Sequence, residues 1–306
     1  MSIPIVIDCD PGHDDAIAIL LALASPEVEL RGVTTVAGNQ TLDKTTRNAL
    51  KVLELAGRGD VPVAAGADRP LVRALRTAAN VHGETGLDGP DLPEPTTRPV
   101  DAHAADLLAD LIEPGVVLVP TGPLTNVALL LERHPDVGER LERIVWMGGA
   151  MAEGNVTPAA EFNAFVDPEA AAAVFASGIE VTLIGLDVTH QALFTRAHAD
   201  RLRGAGRAGL AVAELSDFFQ RFHEPRYGFD GSPIHDAVAV AEVIDPSLVT
   251  TVECNVQVET ASQHCDGRTV VDRWHVTDGP LNCRAGVGID AQGFLELLVQ
   301  RISALP

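Results

Sequence analysis

Asp8, Asp10, Asp14 and Asp15 fall within the eight residues of DCDPGHDD, directly behind the apolar run Ile3–Ile7. Four carboxylates this close repel one another. Asp14 and Asp15 would sit near a helix N-terminus, where the macrodipole favours negative charge by only about 1 kcal/mol each. A hard divalent cation held by oxygen ligands compensates the repulsion more fully. The spacing excludes an EF-hand, because Ile19 stands at the twelfth loop position counted from Asp8, where a glutamate is needed. With no HExxH and no paired cysteines, zinc lacks a ligand set. Pro11-Gly12 supplies a sharp turn from strand to helix, and in open parallel sheets ligands bind beyond such strand ends.

Further along lie residue types that grip hydroxyl groups: Asn39 in VAGNQ, and Asn155, Glu161 and Asn163 in GNVTPAAEFN. His235-Asp236 in IHDA pairs an imidazole with a carboxylate, and His82 stands in VHGETG. Imidazole can donate a proton near neutral pH.

Taken in order, DCDPGHDDA, VAGNQ, LVPTGPLTN, VWMGGA, EGNVTPAAEFNAFVDPEAA and IHDA resemble the nucleoside hydrolases of the inosine-uridine type, from residue 3 to about 300. The resemblance implies a Ca²⁺ bound by Asp10, Asp15, the main-chain carbonyl of Thr121, and Asp236. It assigns the ribose 2′-hydroxyl to Asp14 and Asn39, and the 3′ and 5′ side to Asn155, Glu161 and Asn163, with Met147 packed under the sugar. Cleavage of the N-glycosidic bond passes through an oxocarbenium-like sugar, which negative groups around the ring stabilise. In this scheme Asp10 is the base that takes the proton of the attacking water. His235 matches the leaving-group histidine, and His82 a second histidine on the base side. Tyr227, eight residues before His235, has the spacing of pyrimidine-preferring members. His223 stands where those members carry glutamine, so the sequence departs from the pattern there.

Composition narrows the partners. With 43 acidic against 22 basic residues the chain carries −21, a surface that repels nucleic acid and anionic membranes and suits a neutral or cationic small molecule; the ribonucleoside substrate is what the resemblance implies. A haloacid-dehalogenase-like phosphatase would also place DxD after its first strand. Here Pro11 follows the second aspartate and the only lysines are Lys44 and Lys51, so no later lysine can grip phosphate. A non-catalytic calcium- or ligand-binding protein on the same fold is the other alternative, and it has no need to keep Asp10, Asp14 and His235 together. Four cysteines without a CxxC pair, no basic leader and no long apolar run point to a cytoplasmic protein. By resemblance it is a homodimer or homotetramer.

The elements that must position these residues alternate as in βαβ units. Strands are expected at 3–7, 30–36, 61–65, 116–119, 144–147 and 181–184, and helices at 14–24, 41–56, 102–112, 124–133 and 167–176. Residues 66–99 read as a long functional loop, 195–245 as mainly helical, 248–272 as strand-rich and 291–302 as a last helix. GAGRAG at 204–209 lacks a preceding strand and reads as a helix-ending loop rather than a dinucleotide site. The expected architecture is one α/β domain over 1–306, a Rossmann-like, mostly parallel sheet flanked by helices. Its helical C-terminal portion forms one side of the cleft.

Overall fold

The computed structural model describes residues 2–306. Its strands are β1 (Ile3–Cys9), β2 (Val28–Thr35), β3 (Val63–Ala65), β4 (Val117–Pro120), β5 (Arg143–Met147), β6 (Val181–Ile184), β7 (Leu193–Phe194), β8 (Ser232–Pro233), β9 (Val249–Val258), β10 (Thr269–Asp272) and β11 (Cys283–Ile289). Nine of them form one sheet in the order β10-β9-β11-β6-β5-β4-β1-β2-β3, and β7 pairs with β8 in a separate ribbon. The run from β3 to β11 is parallel, and β9 turns antiparallel at the far side. Chain order reverses between β1 and β4, which opens a crevice beyond their carboxyl ends.

Alternation along β1 divides the core. Ile5, Ile7 and Cys9 face the packing layer that holds the helices His13–Ala24, Asp236–Ile244 and Ala291–Ile302. Val6 faces the opposite layer, with the helices Ala104–Leu111, Thr125–Arg133 and Pro168–Phe175. These strands are apolar on both faces because helices cover both. Asp167 caps the helix Pro168–Phe175 by accepting from the Ala170 N–H (3.0 Å), as the Asp-Pro-Glu signal predicts.

Two segments differ from expectation. β11 lies beyond the strand-rich stretch, between β6 and β9; its glycines Gly286 and Gly288 weaken the strand signal, and Gly286 leaves room for Val188 and the Leu183 carbonyl. GAGRAG only half ends a helix: Gly204 and Ala205 form the turn after Arg196–Leu202, and Gly206 begins the long helix Gly206–Tyr227.

The 66–99 loop is irregular apart from the short helix Ala79–His82. Its own polar contacts fasten it: the Leu71 N–H donates to Asp167 (2.9 Å), Arg73 pairs with Glu169 and Asp266, and the Asn48 amide donates to the carbonyls of Pro11 and Thr85. Among the described residues no helix is long and apolar enough to cross a membrane.

Candidate active site

The end of β1 sends its acids to different places. Asp8 stays behind the crevice, where Oδ1 accepts from the Thr34 hydroxyl (2.6 Å) and the Asn126 amide (2.8 Å), joining β1 to β2 and to the helix Thr125–Arg133. Burial pushes its carboxyl up to about 7. Asp10 reaches the crevice. Its Oδ2 accepts from the Asn39 backbone N–H (2.6 Å), while its Oδ1 is buried with no hydrogen-bond partner among the described residues. The backbones of Gly38 and Gly122 close around this carboxylate, where a Cβ on either would collide with one of its oxygens.

Asp15 accepts from the Gly12 N–H (2.9 Å), the Thr121 hydroxyl (2.8 Å) and the Asn39 amide (3.2 Å). Carboxylate oxygens of Asp14, Asp15 and Asp236 lie within 4.8 Å of one another, all buried. This trio includes Asp14, whereas the sequence pattern assigns Asp10 to the metal; Asp10 sits beside the trio, sharing Asn39 with Asp15. Burial first, then repulsion from Asp15, pushes Asp10 upward and Asp14 to about 8. Burial followed by repulsion from Asp14 raises Asp236. An unpartnered buried oxygen beside mutually repelling acids, with all-oxygen donors around them, fits a hard divalent cation.

On the sugar side the amide orientations are fixed by their partners. Asn163 donates its NH₂ to the carbonyls of Thr121 (2.9 Å) and Met147 (3.1 Å), so its own Oδ1 remains as an acceptor. Asn155 accepts from the Phe162 N–H (2.9 Å), so its NH₂ remains as a donor. Glu161 caps the short helix Phe162–Val166, accepting from the N–H groups of Gly149 (2.7 Å), Asn163 (2.9 Å) and Ala164 (3.1 Å), and burial holds it up at about 7. Asp14, Asn39, Thr121, Met147, Asn155, Glu161, Asn163 and Asp236 all line one cavity of about 300 Å³. Asp10 and Asp15 lie against its floor, tied to Asn39 and Thr121.

The opposite wall is built of rings. His82, His223, Tyr227 and His235 face the same cavity. His235 precedes the helix Asp236–Ile244, and its Nδ1 meets the Thr189 hydroxyl at 2.7 Å. His82 Nδ1 meets both the His13 backbone N–H (3.3 Å) and the His13 Nδ1 (3.1 Å), while His13 Nε2 donates to the Asp88 carbonyl (2.8 Å). Gly12 is required here, since a Cβ would strike the His82 ring. His223 Nδ1 lies 3.0 Å from the Phe219 carbonyl in its own helix, and the Tyr227 ring stacks against His223 at 5.9 Å. Burial is the main cause lowering all three histidines, His82 and His235 well below the usual imidazole range and His223 to about 4.

Sequence reasoning missed Phe219, Phe222, Arg226 and His190, which also line the cavity. The first three carried a signal. Residues 219, 222, 223, 226 and 227 form a single stripe at helical spacing. Arg226 donates to the Tyr227 hydroxyl (3.1 Å) and the Asn155 carbonyl (3.3 Å), bridging the two walls. His190 follows β6 in a stretch without periodicity and carried none.

The profile of the inosine-uridine preferring nucleoside hydrolases matches residues 5–296. The chain belongs to this family. Pyrimidine-specific ribonucleoside hydrolase RihA of Photobacterium profundum is 52% identical to it over 309 residues, covering 99% of each chain. RihA of a Shewanella species is 54% identical, covering 99% of this chain and 97% of its own. Two solved structures superpose with a TM-score of 0.93: the plant nucleoside hydrolase PpNRh1 (34% identity, covering 99% of this chain and all of that one) and a purine-preferring ribonucleoside hydrolase from Gardnerella vaginalis (36%, 98% of each). This nucleoside hydrolase cleaves the N-glycosidic bond of ribonucleosides. The phosphatase and non-catalytic alternatives are thereby set aside.

Proposed function

We propose that the enzyme is a pyrimidine-preferring ribonucleoside hydrolase that uses Ca²⁺, with Asp10 as base and His235 as proton donor to the departing nucleobase. The observation that carries this reading is the division of one cavity into a carboxylate floor and a ring wall. The pyrimidine preference rests on the similarity to the RihA enzymes.

Ca²⁺ would be held by Asp10, Asp15, the Thr121 carbonyl and Asp236, and when bound it supplies positive charge that lets these acids remain ionised together. The protein's own groups do the rest. Asn163 accepts from one ribose hydroxyl through Oδ1 and Asn155 donates to another through its NH₂, while Glu161, fastened to the Gly149 turn and the helix Phe162–Val166, faces the same 3′ and 5′ side. Asp14 and Asn39 hold the 2′-hydroxyl. Asp10 Oδ1 takes a proton from the attacking water, and the surrounding carboxylates stabilise the positive charge that grows on the sugar. His235 gives a proton to the leaving base from its imidazolium form, which burial makes the minor one, and the ring returns to neutral. Its Nδ1 partner, the Thr189 hydroxyl, can donate or accept and so suits a ring that changes protonation. His82 supports the base from the other side.

The same reading takes 1–306 as one domain, since a single sheet draws strands from Ile3 to Ile289. The enzyme works in the cytoplasm, in keeping with four free thiols. It is a homodimer or homotetramer; exposed Val270, Trp274, Val276 and Leu281 offer an apolar face at the β10 edge of the sheet. Ribose release by the purified enzyme from uridine, cytidine, inosine and adenosine tests the proposal. Release mainly from uridine and cytidine is expected, and release mainly from the purine nucleosides would overturn the preference.

A further inference from the structure

Four imidazoles line the cavity, and in three of them, His82, His223 and His235, a ring nitrogen has a partner that sets its hydrogen-bond polarity differently. A ring nitrogen opposite a hydroxyl can be donor or acceptor, as His235 is opposite Thr189. His82 shares its inner nitrogen with a second imidazole, His13. His223 alone of the three has its inner nitrogen against a backbone carbonyl and nothing else, 3.0 Å from the oxygen of Phe219. A carbonyl oxygen only accepts. The single proton of the neutral ring therefore lies on Nδ1, and Nε2 is left with a lone pair. The ring is buried, lines the cavity, and is held at its edge by Phe219 (centroids 4.3 Å apart) and on its face by Tyr227. Burial keeps it neutral, with its pKa lowered to about 4.

We propose that His223 is a specificity-determining residue whose Nε2 accepts a hydrogen bond from an N–H on the outer edge of the nucleobase: the ring N3–H of uracil or the exocyclic amine of cytosine. In its neutral form this histidine presents only an acceptor to the cavity. The residue thus selects bases by a donor they carry, and a base without one leaves the Nε2 lone pair buried and unpaired, which costs affinity in the transition state. This rests on the pyrimidine reading above.

The probe is the ribonucleoside of 2-pyrimidinone, which keeps the ring and the glycosidic bond but has no N–H on its edge. The kcat/KM for uridine divided by that for this probe is compared between wild type, His223→Phe and His223→Gln. General damage to the enzyme cancels in the ratio, as in a double-mutant cycle. Phenylalanine retains a packed ring but cannot accept, and the ratio is expected to fall about tenfold, the worth of one neutral hydrogen bond. Glutamine keeps an amide carbonyl and should restore most of the ratio. An unchanged ratio in His223→Phe, with wild type cleaving uridine normally, would overturn the role of His223 and leave the pyrimidine reading intact. Failure of the wild type to release ribose from uridine while it releases ribose from inosine would overturn both.

Discussion

The floor of the cavity and its ring wall are built on opposite plans. On the floor, polar atoms are pinned by main-chain groups from several segments: Asp10 by Asn39, Asp15 by Gly12, and Asn163 by the carbonyls that close β4 and β5. The wall is assembled from one helix stripe, one loop and the single residues His190 and His235 at helix ends, and its rings hold each other mainly by stacking, with few hydrogen bonds. A rigid sheet edge suits the constant part of the substrate, the ribose, whose reacting carbon must be placed to within a fraction of an ångström. A helix face is easier to re-register, and it meets the part of the substrate that differs between nucleosides.

If the floor carries the chemistry, Asp10→Asn has the largest effect. It removes the proton acceptor and one cation-binding charge while keeping the Asn39 contact, so turnover on every substrate should fall by about 10³-fold or more. The fold should persist, because relief of carboxylate repulsion offsets the lost contact, and circular dichroism with a thermal melt checks this. Wild-type turnover in a folded variant would remove Asp10 from the base role.

Elemental analysis of active enzyme should next find one Ca²⁺ per chain, and prolonged chelation should abolish ribose release and lower the melting temperature together, since ligand binding to the native state is stabilising. Fully active protein without stoichiometric metal would contradict the cation assignment.

The smallest effect belongs to Asp8, the neighbour of Asp10 that points away from the crevice. Asp8→Asn keeps an oxygen for Thr34 and Asn126, and activity should stay within about twofold of wild type, well inside the range of ordinary surface-like changes. Its native pKa of about 7 lies above the ordinary aspartate value of 3.8, so folding favours the protonated acid. That contribution is full below 3.8 and is gone above about 7, where the wild type must bury a charge. The variant should therefore melt no lower than wild type at pH 8, and its relative stability should decline as the pH falls toward 5. A variant that is less stable at pH 8 than at pH 5, each relative to wild type, would show that Asp8 is bound as an anion.

The same contrast decides what could be read before the structure. Floor residues cluster in short strand-end motifs, so β1, β4, β5 and β6 and the residues following them were legible from apolar runs and turn signals. Asp14's place in the tight trio was not, because DxDxxxDD does not say which oxygens turn toward Asp236, most of the chain away. β11 was illegible for a different reason: two glycines in CRAGVGI remove the branched side chains that mark a strand, and its pairing with β6 and β9 is a tertiary matter. On the wall, Tyr227 and His223 were found by their spacing from His235. Phe219, Phe222 and Arg226 required the helical register of 206–227, which one sequence does not fix, and His190 required the closure of the cavity itself.

The division of labour is tested most directly by His235→Ala on two substrates. A purine such as hypoxanthine leaves poorly without a proton, whereas p-nitrophenolate leaves as a stabilised anion. Inosine and p-nitrophenyl riboside share the ribose that the floor holds and differ in what the wall must do. The account predicts that His235→Ala slows inosine cleavage by about 10² to 10⁴, the range of general-acid catalysis, and p-nitrophenyl riboside cleavage far less. Equal slowing of both substrates would contradict it and make His235 a support for Asp236 or the sugar.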